Sequence, residues 1–268
     1  MSMLSLFPYV LVALFFLVGL IIGSFLNVVI IRGERGESLG GRSRCDACKS
    51  TLGVWELIPV VSFVIQKRRC RGCGAVFSWQ YPIVEGATAL FFAGVAGYFL
   101  MNGAYGGSLS RSDIVAELLI FPMIASLVVL VVSDLRYQIL PDGAVLVLFL
   151  SGAGMSAIRG HVAPDIAVAA LIALFFAALW FFSHGTWMGL GDAKLVLATS
   201  LVAGYPYAIA AFLFSFWLGG LVGITLLVLG ARSIKSRIPF GPCIIAGMML
   251  AIFFADRFFS YTGLGILL

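Results

Sequence analysis

The stretch FPYVLVALFFLVGLIIGSFLNVVII, residues 7–31, runs for 25 residues without a charged side chain. A helix needs about 20 mostly apolar residues to cross the hydrocarbon core of a bilayer. No basic residue precedes this run and no A-x-A-like cleavage site follows it, so it is not typical of a signal peptide. We therefore predict a retained transmembrane helix at the start of the chain.

Seven further apolar runs make about eight candidate spans in all. They cover residues 82–101, 114–133, 143–157, 166–182, 192–204, 207–229 and 240–258. The chain is 62% hydrophobic and only 11% charged, whereas soluble domains average about 25% charged residues. This composition excludes disorder and disfavours a soluble enzyme, and continuous apolar runs disfavour a membrane β-barrel. The sequence predicts an all-α polytopic membrane protein, in which the short runs at 143–157 and 192–204 are half-membrane helices or cross a locally thinned bilayer.

The basic residues predict the orientation and the domains. If the amino terminus is outside and the spans alternate, 14 Lys and Arg residues lie inside, among them Arg232, Lys235 and Arg237, and three lie outside. The positive-inside rule favours this topology, so the net charge of +5 needs no nucleic acid to explain it. We predict a first transmembrane helix at residues 1–31, a small cytoplasmic domain at 32–80 and a seven-helix membrane domain at 81–268.

Four cysteines lie in the polar domain as two C-x-x-C pairs, Cys45 with Cys48 and Cys70 with Cys73. Two such pairs about 20 residues apart are typical of a tetrahedral zinc site with four thiolate ligands. Because a domain this small has little core, a structural metal would stabilise it. A redox pair and unligated thiols are the alternatives, and Cys243, alone in the last run, is interpreted as a buried apolar residue.

Two acids lie where an apolar run meets the membrane boundary: Asp134 ends one run and Asp192 begins another. The predicted topology places both at the cytoplasmic side, where two facing carboxylates would share a proton and could perform aspartic-protease chemistry. Gly189 and Gly191 would let the backbone bend and a substrate strand approach. Lys194 would either pair with Asp192 or extend to the interface. The alternative is that each aspartate only caps a helix.

Several motifs together resemble a known family. They are Gly23-Ser24-Phe25-Leu26-Asn27, the cysteine pairs, Ile58-Pro59, Gln80-Tyr81-Pro82-Ile83-Val84-Glu85, Leu140-Pro141-Asp142, Gly189-Leu190-Gly191-Asp192-Ala193-Lys194 and Ile238-Pro239-Phe240-Gly241-Pro242. In this order they look like a type IV prepilin peptidase across nearly the whole chain. Glu85 is expected in the first turn of its helix, where the helix dipole favours an acid.

The resemblance implies a bacterial inner-membrane aspartyl protease of the G-x-G-D type, with Asp134 and Asp192 as its catalytic residues. It implies cleavage of prepilin or pseudopilin leaders at the cytoplasmic face. It also implies methylation of the new amino terminus with S-adenosylmethionine, although no glycine-rich fingerprint marks a site for that donor. Departures at Cys45-Asp46-Ala47-Cys48 and Trp55-Glu56-Leu57 leave a peptidase without methyltransferase activity open. A proton-coupled transporter and a non-catalytic zinc scaffold are two further hypotheses, and membrane lipid is expected as a partner besides the substrate.

Overall fold

The computed structural model describes residues 3–101, 111–230 and 239–262. Within these ranges it contains nine α-helices and no strand beyond isolated bridges. The helices are α1 (Met3–Arg35), α2 (Val61–Ile65), α3 (Gln80–Met101), α4 (Arg111–Tyr137), α5 (Asp142–Arg159), α6 (Val162–Phe182), α7 (Leu190–Ala203), α8 (Tyr207–Val228) and α9 (Gly241–Thr262). The prediction of an all-α protein is confirmed. Arg232, Lys235, Arg237 and Ile238, which the sequence analysis used, lie outside the described residues.

Each of the eight predicted apolar runs forms a helix. Among the described residues, seven helices are long and apolar enough to cross a membrane, and α7, with 14 residues, is the exception. At about 1.5 Å per residue α7 is roughly 21 Å long, shorter than the hydrocarbon core of about 30 Å. The chain is thus a multi-pass membrane protein that contains one short helix.

The outer faces of the long helices are apolar. Leu17 in α1, Leu171 in α6 and Leu221 in α8 are 56%, 67% and 63% exposed. Apolar side chains exposed along so many helical turns would be unfavourable in water, but in lipid they need no packing partner. The exposed surface therefore has the composition expected for helices that contact hydrocarbon.

The chain divides into two compact units, residues 1–117 and 118–268. In the first unit α1 packs closely on α3 at Gly19 and Gly23. A Cβ atom on Gly19 would lie 2.6 Å from the Cα atom of Ala89, and one on Gly23 would lie 2.7 Å from that of Glu85. Only glycine permits this approach, so the G-x-x-x-G spacing of α1 is used for helix packing. The segment between the two helices holds α2, a short 3-10 helix (Val54–Glu56) and the four cysteines.

The short helix α7 is the centre of the second unit. It contacts α5, α6, α8 and α9, and nearly all of its side chains after the first turn are buried. Leu195 of α7, Leu148 of α5, Phe176 of α6 and Met248 of α9 form part of one apolar core and are fully buried. Because α7 is enclosed by other helices, its length is not set by the thickness of the bilayer.

An ion pair between the partly exposed Arg159 and the buried Asp165 lies at the carboxyl end of α7. Gly204, with a φ of 73°, ends the helix, which leaves terminal carbonyls without a partner inside the helix. The guanidinium of Arg159 donates to the carbonyls of Val202 at 2.8 Å and Leu201 at 2.7 Å, and it pairs with Asp165 at 3.0 Å. An ion pair inside a membrane protein is costly unless it serves such a purpose. Here it terminates a helix below full membrane length.

Candidate active site and metal centre

The four predicted cysteines converge in the first unit. Their Sγ atoms all lie within 4.8 Å of one another, with 3.8 Å between Cys45 and Cys73 and 4.0 Å between Cys48 and Cys70. Four sulfurs bound to zinc at about 2.3 Å in a tetrahedron lie about 3.8 Å apart. The cluster therefore has the ligand type, number and spacing of a closed structural zinc site, and it could hold that ion.

The two cysteine pairs are held by the same backbone turn used twice. In each turn the N–H of the first cysteine donates to a carbonyl five residues later at 2.9 Å. The N–H groups of Lys49 and Gly74 return to the carbonyls of Cys45 and Cys70, also at 2.9 Å. Both donors have positive φ angles, 59° and 72°, so each turn closes through a left-handed residue. This repeat explains why two short motifs present four thiols to one point.

Hydrogen bonds favour the thiolate form, which a metal requires, at two of the four cysteines. The Ser50 hydroxyl lowers the pKa of the Cys48 thiol to about 6. The backbone N–H groups of Cys73 and Gly72 lower the pKa of the Cys70 thiol. At Cys73 the backbone N–H of Ala75 acts in the same direction, but the neighbouring thiols outweigh it and raise the pKa to about 11.

Asp134 lies in the last turn of α4, in the second unit. Its side chain is buried, at 6% exposure, and its Oδ2 atom accepts a hydrogen bond of 2.9 Å from the backbone N–H of Gly241. Gly241 is the first residue of α9, so this N–H is one that the helix itself leaves without a partner. A Cβ atom on Gly241 would lie 2.8 Å from Asp134 Oδ2, so a larger residue would displace the carboxylate.

Asp192 lies in the first turn of α7 and is half-buried. Its Oδ2 atom accepts a hydrogen bond of 3.1 Å from the N–H of Gly189, the residue that precedes the helix. It therefore does contact the helix start, as the capping alternative required. Asp192 nevertheless lies near Asp134, because the glycines beside the two acids, Gly191 and Gly241, both pack against Leu140.

A leucine links the segments that carry the acids. A Cβ atom on Gly191 would lie 3.2 Å from Leu140 Cδ1, and one on Gly241 would lie 3.4 Å from Leu140 Cδ2. Leu140 therefore packs between the start of α7 and the start of α9, beside Asp134 and Asp192. Both glycines let a side chain approach the backbone closely, Leu140 at Gly191 and the carboxylate of Asp134 at Gly241.

Two neighbouring predictions have different outcomes. Lys194 does not pair with Asp192: its Nζ atom lies 2.7 Å from Asp142 Oδ1, and both of these side chains are exposed. Cys243 is buried, at 8% exposure, as predicted. The sequence pattern therefore predicted the burial of Cys243 but not the partner of Lys194.

Three further residues of interest were missed or misplaced. Gly241 and Leu140 occur in motifs quoted above, but spacing alone gave no reason to place them at the acids. Glu85 is not in the first turn of α3, as expected, but a turn further in. It is buried, at 6% exposure, and accepts a hydrogen bond of 2.7 Å from the N–H of Val60. The shape of the loop that carries Val60 decides this contact, and no local pattern predicts it.

These features define a polytopic helical membrane protein with a paired-acid site in one unit and a four-cysteine cluster in the other. Comparison with known proteins gives the particular family. Residues 17–99 match the model of the bacterial peptidase A24 N-terminal domain, and residues 121–224 match that of the type IV leader peptidase family. The chain belongs to the type IV leader peptidase family.

Curated relatives agree over almost the whole chain. A protein of Bacillus subtilis named prepilin leader peptidase/N-methyltransferase is 32% identical, covering 93% of this chain and 96% of the relative. Proteins of the same name from Aeromonas salmonicida and Pseudomonas aeruginosa are 31% and 30% identical, covering 93% and 90% of this chain and 92% and 89% of their own lengths. No solved structure matches the chain significantly.

Proposed function

We propose that this chain is an aspartyl endopeptidase that removes the leader from type IV prepilins or type II pseudopilins, with Asp134 and Asp192 as its catalytic pair. One observation carries the proposal: Asp134 at the end of α4 and Asp192 at the start of α7 lie on either side of one side chain, Leu140, which packs against the positions of Gly241 and Gly191. They do so in a chain whose curated relatives are named prepilin leader peptidase/N-methyltransferase.

The chemistry follows from the shared environment of the two acids. One carboxylate, ionised, takes a proton from water, and the water attacks the scissile carbonyl carbon. The other, protonated, donates to the carbonyl oxygen. Each acid also accepts a hydrogen bond from a backbone N–H group: Asp134 from Gly241 and Asp192 from Gly189. These donors fix the orientation of both carboxylates before substrate arrives.

Membrane orientation places this chemistry at the cytoplasmic face of the bacterial inner membrane, with the amino terminus outside. The support is the excess of basic residues in the loops that would then be inside. In this orientation α4 ends near the cytoplasmic face, at Asp134, and α7 begins near the same face, at Asp192. An apolar pilin segment could lie among the helices while its basic leader stays in the cytoplasm. The scissile bond would then be at the depth of the acids.

The second activity in this proposal is N-methylation of the newly formed amino terminus with S-adenosylmethionine. The support is the second half of the relatives' name and the presence of the four-cysteine domain. Zinc bound by Cys45, Cys48, Cys70 and Cys73 would be structural, because four protein ligands leave no open coordination position. A peptidase without methyltransferase activity is the alternative, and mass spectrometry of the mature pilin amino terminus distinguishes the two.

The test is co-expression with a candidate prepilin and measurement of leader removal. Asp134→Asn and Asp192→Asn should each lower cleavage by about a thousandfold or more, because loss of one member of a catalytic pair disables the unit. Asp256→Asn is the matched control, since Asp256 is an exposed acid near the far end of α9 that bonds Tyr207. Normal processing by either active-site variant, present in the membrane at wild-type level, would overturn the assignment.

A further inference from the structure

The short helix α2 of the first unit presents an apolar face that no described residue covers. Val61, Val64 and Ile65 are 47%, 67% and 66% exposed, and their i, i+3, i+4 spacing places them on one side of the helix. Phe63 attaches α2 to the rest of the unit, since its ring packs against that of Trp79 with 5.1 Å between the centroids. Neighbouring apolar side chains exposed together indicate a surface that contacts a partner or a membrane.

Two contacts place α2 beside the start of the long apolar helix α3. The N–H of Val60, next to α2, donates to the Glu85 carboxylate of α3 at 2.7 Å, and Trp79, which packs on Phe63, directly precedes α3. α3 has 22 residues, so it is roughly 33 Å long, little more than the hydrocarbon core of about 30 Å. Its first turns therefore lie where hydrocarbon meets the headgroups, and α2 lies at the same level.

Basic side chains follow this apolar face directly in the chain. Residues 57–79 contain no acidic residue and four basic ones, Lys67, Arg68, Arg69 and Arg71. Among the described residues none of these four side chains forms an ion pair, and three of them, all except Arg68, are exposed. An apolar face next to uncompensated cations is the composition of segments that lie on anionic lipid surfaces.

Arg68 and Trp79 join the apolar part of this surface to the basic part. The guanidinium carbon of Arg68 lies 5.6 Å from the ring centroid of Trp79, and the Trp79 side chain is exposed. The N–H of Phe77 donates to the Arg68 carbonyl at 2.9 Å, so the backbone holds the two residues near each other. Tryptophan is enriched at the level of the headgroups, and a long basic side chain there extends its charge toward the phosphates.

We propose that α2 lies in the interfacial layer of the bilayer and that Lys67, Arg68 and Arg69 bind the headgroups of anionic phospholipids there. The apolar face of α2 contacts acyl chains, while the three cations contact phosphate oxygens. A zwitterionic lipid would satisfy the apolar face but leave the positive charge unbalanced, so the surface favours an anionic headgroup. Because Cys70 directly follows Arg69, this contact holds one side of the cysteine cluster near the membrane.

The experiment identifies the lipids that contact α2. Full-length protein is reconstituted in vesicles of phosphatidylethanolamine and phosphatidylglycerol, and in separate samples one or the other lipid carries a photoreactive diazirine near its headgroup. After irradiation, mass spectrometry of the digested chain measures lipid adducts on residues 61–69. We expect adducts from both lipids, with phosphatidylglycerol preferred by about tenfold or more, because several cations face an anionic headgroup.

The charge is tested with a pair of matched double variants. Lys67→Gln with Arg69→Gln should reduce the preference for phosphatidylglycerol by about fivefold or more, while α2 is still labelled. Arg44→Gln with Lys49→Gln removes two exposed cations from the other cysteine turn and should leave the preference unchanged. An undiminished preference in the first variant would overturn the assignment of the headgroup site.

The apolar face is tested separately. Val64→Asn with Ile65→Asn should lower labelling by both lipids by about fivefold or more, because polar side chains reduce the depth of insertion. Both positions are exposed, so thermal unfolding in detergent should be nearly unchanged and a loss of labelling reports lipid contact and not the fold. The proposal is wrong if wild-type α2 carries no adduct from either lipid, if the two lipids label it equally, or if α2 cross-links to a second copy of the chain instead.

Discussion

The two candidate sites of this protein are assembled in opposite ways. The four cysteines of the first unit are brought together by two short turns with the same hydrogen bonds. The two acids of the second unit lie at the ends of separate helices, α4 and α7, and come near each other because those helices share a core. The cysteine cluster is therefore a product of local sequence, whereas the acid pair is a product of packing.

This difference decides what each site depends on. The loops around the cysteines contain few buried apolar side chains apart from Cys45 and Cys70 themselves, so a metal ion would supply most of their cohesion. The helices around the acids are held by a continuous apolar core and need no ion.

The largest effect is expected at the cysteines. Purified protein should contain about one zinc per chain, and the double variant Cys45→Ser with Cys70→Ser should contain none, because four-thiolate zinc sites contribute about 10–16 kcal/mol to folding of their domain. Elemental analysis measures the metal, and circular dichroism should show the membrane helices retained. Cys243→Ser, outside the cluster, should keep the zinc. A well-folded wild-type preparation without metal would contradict the prediction.

An intermediate effect is expected at the carboxyl end of α7. Arg159→Met should lower the free energy of unfolding by about 3–5 kcal/mol, because it removes the cationic partner of the buried carboxylate of Asp165, at 1% exposure, and leaves it the N–H of Tyr205. Thermal unfolding in detergent measures the change. Arg257→Met replaces an exposed arginine of α9 and should have almost no effect. Equal stability of the two variants would show that the ion pair does not secure α7.

The smallest effect, about 2.7 kcal/mol, is expected at the acid pair itself. Gly241→Ala places a Cβ atom against Asp134 Oδ2 and should lower leader cleavage by about a hundredfold through misplacement of the carboxylate. Zinc content and thermal stability should be nearly unchanged. Gly143→Ala is the control, since a Cβ there meets nothing within 4 Å. Full activity of Gly241→Ala would show that this close contact does not set the geometry of Asp134.

Sequence reasoning succeeded where one kind of side chain dominates a segment. Continuous apolar runs predicted the helices, and C-x-x-C spacing predicted the cysteine cluster, because both properties are local. It was less successful at predicting which groups a polar side chain contacts. Lys194 was considered for Asp192 but pairs with Asp142, and Glu85 was expected at a helix start but bonds Val60. A side chain's partner depends on which elements lie beside it, and this information is not in its own neighbourhood.

The amino-acid order alone therefore determined that the chain spans a membrane, which segments are helical and which four thiols can bind one ion. These properties depend on hydrophobicity and on short spacings, which are local features of the sequence. Only the folded arrangement decided that Gly241 presents its N–H to Asp134 and that Arg159 bonds the carbonyls at the end of α7. These contacts join residues distant in the chain, and they exist because packing and hydrogen-bond satisfaction are properties of the whole fold.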